Sequence, residues 1–281
     1  MSPILPHFLV STEWLAEHLG DDTVVPVDAS WYLPSANRRP HDEFLAGHIP
    51  GATFFGIDEI ADRKTGLPHM LPRPEEFAVT VGALGIGDGD TIVVYDEAGV
   101  FSAPRVWWSF VTMGAGDVRV LDGGGRKWRA EGRPLETGPA ARRPRRFTPG
   151  FRPELVRDFA DMMALLRTGE RTIIDARPAE RFRGEAPEPR PGLASGHIPG
   201  SLNVPAGSLS VDGHLRPAGE LHAIFTQAGI DLEKPIVTTC GSGVTASTLA
   251  LALQIAGARD VAIYDGSWAE WGSREDAPVE R

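Results

Sequence analysis

The only cysteine of the 281-residue chain, Cys240, ends an apolar, strand-like run that begins at residue 235. Residues 241–243 read Gly-Ser-Gly, and apolar side chains then recur at helical spacing until Gly257. This order predicts a strand, a tight loop and a helix. Glycines let successive N–H groups turn inward, and the helix adds the positive end of its dipole. A thiolate at residue 240 would be stabilised there, so the pattern predicts a nucleophilic cysteine.

The alternative interpretation of Cys240 is a small buried residue at a strand end, which is the usual position of a free cysteine. The two glycines and the following helix favour the nucleophile. The other candidate residues of the site are the loop hydroxyl and the neighbours whose N–H groups would bind substrate: Ser242, Gly241, Gly243, Val244 and Thr245. A single cysteine can form neither an intrachain disulfide nor a cysteine-built zinc site, and we expect no metal or organic cofactor.

A weak internal duplication organises the chain. Five markers recur in the same order, at offsets between 143 residues (264 − 121) and 149 residues (197 − 48). They include a His-Ile-Pro-Gly motif at residues 48–51 and again at 197–200, and an aspartate after a strand-like run, Asp28 and then Asp175. In the first repeat, the position of Cys240 is occupied by Asp96.

Each repeat alternates short β-branched runs with helical periodicity, which predicts an α/β domain around a mostly parallel sheet flanked by helices. We therefore predict two tandem domains, at residues 1–135 and 153–281. The stretch 136–152 is rich in proline and arginine and has no hydrophobic period, so it is predicted to be a linker. Its arginines could form a nucleic-acid patch, but a solvated linker that packs on acidic domain surfaces suits this chain better.

The charge of the chain limits its partners. Lys and Arg number 28 against 38 Asp and Glu, a formal net charge of −10. This argues against nucleic acid or an anionic membrane surface as a partner. No apolar run approaches about eighteen residues, and residues 1–7 contain no basic region followed by an apolar run. We expect a cytoplasmic monomer that holds any anionic substrate with a local cluster of cations.

The run Cys-Gly-Ser-Gly-Val-Thr-Ala at residues 240–246 resembles the active-site loop of the 3-mercaptopyruvate sulfurtransferases, within the tandem-domain rhodanese family. The paired His-Ile-Pro-Gly motifs, residues 28–32 and residues 265–268 are also similar to that family, so the resemblance covers nearly the whole chain. It implies two rhodanese-like domains, of which only the second is catalytic. Asp96 cannot carry sulfane sulfur, which agrees with a silent first domain.

Two other activities of the same fold differ at this loop. Thiosulfate sulfurtransferases of the family place basic residues directly after the cysteine, whereas Gly241 and Ser242 are neutral, so thiosulfate should be the poorer donor. Rhodanese-like phosphatases need an arginine at the end of a longer loop, and residues 246 and 247 are alanine and serine. A thiosulfate:cyanide sulfurtransferase and a non-catalytic rhodanese module that binds a partner or senses oxidants remain the alternatives.

Arginine forks suit a donor that carries a carboxylate beside a carbonyl. The segment before the second His-Ile-Pro-Gly motif resembles the family segment in which two arginines nine residues apart bind substrate. That resemblance assigns the role to Arg181 and Arg190, with Arg183 as the second choice. A solvated loop of Arg–Glu pairs is the alternative interpretation of this segment.

The histidines of the repeated motif have a simpler expected role, which is to bond backbone groups from inside a turn. We expect that role for His197. The resemblance implies a relay of a loop serine, a first-domain histidine and an aspartate, which would assign Ser242 and His48, with Asn37 and Asp42 near the place of the unassigned aspartate. Residues 31, 32 and 68–72 resemble the first domain's face of a cleft, although core packing explains them equally well.

The resemblance implies a complete reaction. The Cys240 thiolate takes sulfur from 3-mercaptopyruvate, pyruvate leaves, and the persulfide passes its sulfur to a thiol acceptor such as thioredoxin, or to cyanide. Arg181 and Arg190 would orient the donor, and Ser242 or His48 would supply the proton to the leaving group.

Overall fold

The computed structural model describes residues 8–281, so residues 1–7, which contain no basic region followed by an apolar run, lie outside the described residues. The chain divides into two compact units. The first unit contains the described residues up to Ile60, together with Arg73–Phe151 and Asp212–His214. The second unit contains Ala61–Pro72, Arg152–Val211 and Leu215–Arg281. One short segment of each predicted half is thus grouped with the other unit. These segments are Ala61–Pro72 from the first half and Asp212–His214 from the second.

The first unit contains a five-stranded parallel sheet with the strand order β1-β5-β4-β2-β3. Its strands are Leu9–Val10 (β1), Val24–Asp28 (β2), Thr53–Phe54 (β3), Thr91–Tyr95 (β4) and Asp117–Leu121 (β5). Its helices are Thr12–His18 (α1), Pro40–Ala46 (α2), Pro74–Ala83 (α3), Ala103–Thr112 (α4) and Gly124–Ala130 (α5), with a 3₁₀ turn at Pro34–Ala36.

The second unit repeats this topology in a parallel sheet of order β6-β12-β11-β7-β8. Its strands are Val156–Arg157 (β6), Thr172–Asp175 (β7), Leu202–Asn203 (β8), Ile236–Thr239 (β11) and Val261–Tyr264 (β12). The helices of this half are Phe159–Thr168 (α6), Ala179–Phe182 (α7), Ala218–Gln227 (α8), Val244–Ile255 (α9) and Ser267–Trp271 (α10). Single 3₁₀ turns lie at Pro153–Leu155 and Ala206–Ser208, and a short hairpin is formed by Ser210–Val211 (β9) and His214–Leu215 (β10).

The predicted α/β class with mostly parallel sheets is therefore confirmed in both halves. The central strands β4 and β11 are built of β-branched and apolar residues and are buried along almost their whole length, as expected for parallel strands covered on both faces. Loops at the carboxyl ends of such strands are the usual place for ligand sites in open α/β sheets. Asp96 and Cys240 follow β4 and β11 directly.

The repeated motif closes each unit in the same way. The backbone of His48 pairs with Glu136, and that of His197 pairs with Glu280. Each imidazole Nδ1 lies 2.8 Å from a backbone carbonyl, that of Phe44 for His48 and that of Phe182 for His197. Each ring also stacks on the same phenylalanine, at 3.9 and 3.8 Å between ring centroids. Both histidines are therefore structural parts of their turns.

The arginine-rich stretch packs on the first unit, and its residues up to Phe151 are grouped with that unit. Arg145 forms an ion pair with the buried carboxylate of Asp90, and its backbone N–H donates to the carbonyl of Gly82. Arg142 contacts the carbonyl oxygens of Gly51, Gly85 and Asp22. Across residues 8–281, no helix is both long and apolar enough to cross a membrane.

Candidate active site

The strand, loop and helix predicted around the cysteine are present. Cys240 follows β11, residues 241–243 form the loop, and α9 begins at Val244. Gly243 caps the helix with a φ of 83°, a left-handed angle that a side chain would strain. Thr238 Oγ1 donates to the carbonyl of Ala246 at 3.0 Å, which ties the strand to the first turn of α9.

The loop presents a backbone donor to the sulfur atom. The N–H of Gly243 donates to Cys240 Sγ at 3.1 Å, and Cys240 is only 1% exposed. The carbonyls of Cys240 and Gly241 accept from the N–H groups of Trp268 and Ala269, each at 2.9 Å. The beginning of α10 therefore holds the backbone of the loop while Sγ faces the start of α9.

The other predicted loop residues differ in exposure. Gly241 and Thr245 are partly exposed, whereas Val244 is buried. A Cβ atom added at Gly241 would meet no heavy atom within 4 Å, so there is open space beside this glycine.

A histidine lies beside Ser242, and it is His69. Its Nδ1 is 3.1 Å from Ser242 Oγ and 3.2 Å from the Ser242 carbonyl oxygen, and both side chains are buried. A carbonyl oxygen only accepts, so the contact with it requires a proton on Nδ1; the hydroxyl can either donate or accept. The pair can therefore exchange a proton two residues from Cys240 in the sequence.

The segment that carries His69 belongs to the second unit, although the chain reaches it in the middle of the first repeat. His69 has a φ of 63°, the left-handed region that a non-glycine residue adopts only at some cost. The N–H of Leu71 donates to the carboxylate of Asp265 at 2.8 Å, which anchors the segment close to His69. Such strain is often found at functional sites, where the surrounding structure holds the residue in place.

This geometry changes the histidine chosen from the sequence. His48 bonds the carbonyl of Phe44 and stacks on its ring, as His197 does with Phe182, so the structure gives His48 the role expected of His197. The sequence resemblance gives His69 only a place on the first domain's face of a cleft and no role in the relay. Asp42 is exposed and pairs with Arg39, and Asn37 ends the 3₁₀ turn, so neither contacts a site residue within the first unit.

The predicted arginines have different surroundings. The guanidinium of Arg190, on a half-buried side chain, has no ion-pair or hydrogen-bond partner within residues 8–281. Arg181 contacts the carboxylate of Glu188 at 3.4 Å. Arg183 is exposed, and its ion-pair partner among residues 8–281 is Glu185. Arg190 is thus the cation of this segment with the most freedom to receive a carboxylate.

The carboxylate of Glu188 also contacts a buried arginine, Arg177. Arg177 is fully buried, forms a fork with Asp175 at 2.7 to 3.2 Å, and donates to Glu188 at 2.7 Å. Its guanidinium also stacks on the Trp268 ring, 4.1 Å from the centroid. Trp268 bonds the carbonyl of Cys240, so one network joins the arginine segment to the cysteine loop.

The loop after β4 in the first unit is occupied by its own carboxylate. Asp96 is 1% exposed, and its two oxygens accept five backbone N–H groups at 2.6 to 2.9 Å. The donors are Ala98, Gly99, Phe101, Ser102 and Ala103. The loop following such a strand can therefore bind an anion through its N–H groups, and here the anion is built into the chain.

Comparison with known proteins identifies the fold family. The family model described as "Rhodanese-like domain" matches residues 11–131 and again 158–274. The chain is 45% identical over 274 residues to 3-mercaptopyruvate sulfurtransferase of Escherichia coli K12, covering 97% of this chain and 98% of that protein. It is 44% identical over 294 residues to "Thiosulfate/3-mercaptopyruvate sulfurtransferase 1, mitochondrial" of Arabidopsis thaliana, covering 97% and 78%.

Among solved structures, the crystal structure of the 3-mercaptopyruvate sulfurtransferase SseA from Escherichia coli matches with a TM-score of 0.86. The sequences are 43% identical, and the match covers 93% of this chain and 98% of that one. The agreement extends through both repeats, as the internal duplication requires. The chain belongs to the rhodanese-like domain family, as a two-domain member related to its sulfurtransferases.

Proposed function

We propose that the protein transfers sulfane sulfur from 3-mercaptopyruvate, through a persulfide on Cys240, to a thiol or to cyanide. The observation that carries the proposal is the loop itself. The buried sulfur of Cys240 accepts the N–H of Gly243, directly before α9 begins at Val244, and the Ser242 side chain contacts His69. The nucleophile Cys240, the Gly243 N–H that stabilises an anion and the Ser242 hydroxyl thus lie within residues 240–243, and His69 contacts that hydroxyl.

In the first half-reaction, the Cys240 thiolate attacks the thiol sulfur of the donor. The new bond joins the two sulfurs, the carbon–sulfur bond breaks, and its electron pair leaves with carbon as the enolate of pyruvate. The thiol proton of the donor stays with the outer sulfur or is lost to a base. The N–H of Gly243, 3.1 Å from Sγ, is placed to stabilise the sulfur anions that precede and follow the attack.

The leaving enolate needs one proton to become pyruvate. Ser242 carries the polar side chain of the loop 241–243, and His69 Nδ1 lies 3.1 Å from its Oγ. In this proposal Ser242 delivers the proton and His69 replaces it, so His69 takes the place that sequence reasoning gave to His48. Positioned proton transfer of this kind accelerates reactions by about 10²- to 10⁴-fold.

The donor is recognised through its carboxylate and carbonyl. Arg190 offers a guanidinium with no competing partner in the described chain, and Arg181 is steadied by Glu188 at 3.4 Å. Gly241 and Ser242, which directly follow the cysteine, carry no charge that would hold a thiosulfate dianion. Arginine forks beside a neutral loop therefore favour the mercapto acid.

The second half-reaction returns the enzyme to its resting form. A thiolate attacks the outer sulfur of the persulfide, the sulfur–sulfur bond breaks, and its electron pair stays on Cys240. With cyanide the same step yields thiocyanate. Thioredoxin and small thiols are the acceptor class of the proposal, and the single cysteine of the chain agrees with a reducing, cytoplasmic setting. We further propose that the protein acts as a monomer, which light scattering at working concentration would test.

The deciding experiment compares kcat/KM for 3-mercaptopyruvate and thiosulfate with one shared acceptor. We expect the mercapto acid to be the better donor by at least about tenfold. The variant Gly241→Arg, introduced where a side chain meets no neighbour within 4 Å, should narrow this ratio because it adds a cation beside the incoming dianion. Equal or better turnover of thiosulfate by the unmodified protein would contradict the proposal and make thiosulfate the donor. Turnover of neither donor would favour a non-catalytic module.

A further inference from the structure

Ser267 adopts a backbone conformation that serine rarely adopts. It begins α10, is fully buried, and has a φ of 49° in the left-handed region. The matching residue of the first unit, 143 positions earlier (267 − 143), is Gly124, with a φ of 57°. Glycine adopts this angle without strain, whereas a residue with a Cβ pays for it. The second unit therefore tolerates a strained serine where the first has a relaxed glycine.

In this strained conformation the hydroxyl of Ser267 makes two hydrogen bonds. It donates to the carbonyl of Tyr264 at 2.9 Å and accepts the backbone N–H of Cys240 at 3.3 Å. The carbonyl of Cys240 is held at the same time by the N–H of Trp268, at 2.9 Å. Both backbone polar groups of the cysteine are thus fixed by two consecutive residues at the start of α10.

The first unit keeps one of these contacts and lacks the other. The N–H of Gly125 donates to the carbonyl of Asp96 at 2.9 Å, which matches the bond between Trp268 and Cys240. A Cβ atom at Gly124 would lie 2.2 Å from that same carbonyl oxygen, so the first unit has no room for a serine there. Its loop is ordered instead by the Asp96 carboxylate. The serine contact therefore occurs only in the repeat that carries the sulfur nucleophile.

We propose that Ser267 is a positioning residue for Cys240. By accepting the cysteine N–H, it fixes the backbone at the end of β11 and so keeps Sγ within 3.1 Å of the Gly243 N–H. The inference rests on the proposed function in one respect, because it takes Cys240 as the reacting thiol. A serine is needed because its hydroxyl can accept this bond while it donates to Tyr264, which neither glycine nor alanine can do.

Two variants separate positioning from a structural role. Ser267→Ala removes the hydroxyl and keeps the strained Cβ, whereas Ser267→Gly removes both. If Ser267 positions the cysteine, the two variants lose rate alike, although the glycine variant is the more heat-stable of the two. If the residue serves only the fold, rate follows stability and the glycine variant keeps full activity. Ser201→Ala is the control, because it removes another buried hydroxyl of the second unit, bonded to the Ile198 carbonyl at 2.7 Å.

The lone cysteine supplies a direct spectroscopic readout. Labelling the full chain with ¹⁵N-cysteine gives one backbone amide signal, that of Cys240. In both Ser267 variants this proton should move upfield and exchange faster with solvent, while Ser201→Ala leaves it unchanged. Alkylation of Cys240 by iodoacetamide and kcat for 3-mercaptopyruvate should each fall roughly two- to tenfold, the effect of one lost neutral hydrogen bond, with KM unchanged.

The outcomes are separable from those of the proposed function. An unmoved amide signal shows that the bond is not made, and a moved signal with unchanged alkylation shows that it does not position the thiol. Either result overturns the proposal. Slower alkylation in both variants supports it even if 3-mercaptopyruvate proves to be the wrong donor, because alkylation requires no donor.

Discussion

The loops that follow β4 and β11 use one backbone design for two purposes. In the first unit the carboxylate of Asp96 accepts five N–H groups and occupies the anion site from within. In the second unit Cys240 Sγ accepts one N–H, from Gly243, and the loop is held from outside by Ser267 and Trp268. A loop of this design can be ordered by its own anion or kept open for an incoming one. The residue that follows the strand, Asp96 or Cys240, cannot serve both purposes.

The same contrast is repeated one strand away. Asp175 at the end of β7 is matched with the buried guanidinium of Arg177, whereas Asp28 at the end of β2 has Ser30 at the corresponding position. Burial raises the pKa of Asp28 to about 7, and the Ser30 bonds only partly offset this. The second unit thus carries a charged network where the first unit carries a carboxyl group that is easily protonated.

The largest effect we expect from a group other than the cysteine comes from His69. Replacing it with alanine removes the proton carrier behind Ser242, so kcat for 3-mercaptopyruvate should fall about 10²-fold or more. The matched variant is His48→Ala, which removes an imidazole that stacks on Phe44. That variant should lower the melting temperature while kcat per folded molecule stays within a fewfold. The opposite pattern in steady-state kinetics would return the relay role to His48.

A smaller effect is expected at the arginine segment. Arg190→Ala should lower kcat/KM for 3-mercaptopyruvate by roughly ten- to a hundredfold, the usual cost of one charge-assisted contact, and thiosulfate turnover should fall less. Arg181→Ala should act in the same direction. Arg183→Ala is the control, because that side chain is exposed and pairs with Glu185, and it should change kcat/KM less than about twofold. Equal losses of kcat/KM for both donors would mean that Arg190 contributes general electrostatic attraction for anions and does not bind the donor carboxylate specifically.

The Asp96 loop should show its importance in stability rather than rate. Asp96→Ala leaves five N–H groups of residues 98–103 without their acceptor, and should cost about 3 kcal/mol or more in the first unfolding transition. Cys240→Ala removes a single N–H acceptor and should cost about 1 kcal/mol. Urea denaturation measures both, and turnover of folded Asp96→Ala should stay within a fewfold of the unmodified protein. Similar costs for the two variants would remove the distinction between the loops.

The sequence predicted the elements that have local signals. The β-branched run before Cys240, the two glycines and the helical spacing up to Gly257 are all contained within about twenty residues, and the fold follows them closely. The match between Asp96 and Cys240 came from the repeat. The five N–H bonds to Asp96 could not be predicted, because they depend on how the loop curls around the carboxylate.

His69 could not be chosen for the relay from the sequence, because its contact with Ser242 depends on tertiary structure alone. Residues 61–72 lie within the first repeat in sequence but belong to the second unit, and no periodicity marks that exchange. The left-handed backbone angles at His69 and Ser267 could not be predicted either, because only glycine marks such an angle in a sequence. The Pro-His-Met-Leu-Pro run at residues 68–72 is visible in the sequence, but only the fold brings its histidine to Ser242.

A further prediction concerns the pH dependence of the stability of the first unit. An aspartate in an unfolded chain titrates near pH 3.9, whereas the pKa of Asp28 in the folded chain is raised to about 7. Between about pH 4 and 7 the folded chain therefore holds a proton that the unfolded chain lacks, so this contribution to stability is lost as pH rises through that window. Asp28→Asn should remove it. Melting curves from pH 4 to 8 that run parallel in the two proteins would contradict this assignment.

The most direct test of the central claim is the mass of the intact protein after brief exposure to 3-mercaptopyruvate without an acceptor. The unmodified chain should gain one sulfur atom on Cys240 and lose it when cyanide is added, as thiocyanate. Cys240→Ser should gain none and should not turn over, while Asp96→Ala should gain sulfur as the unmodified chain does. Sulfur bound to the Cys240→Ser protein, or turnover by it, would show that the reaction does not pass through this cysteine.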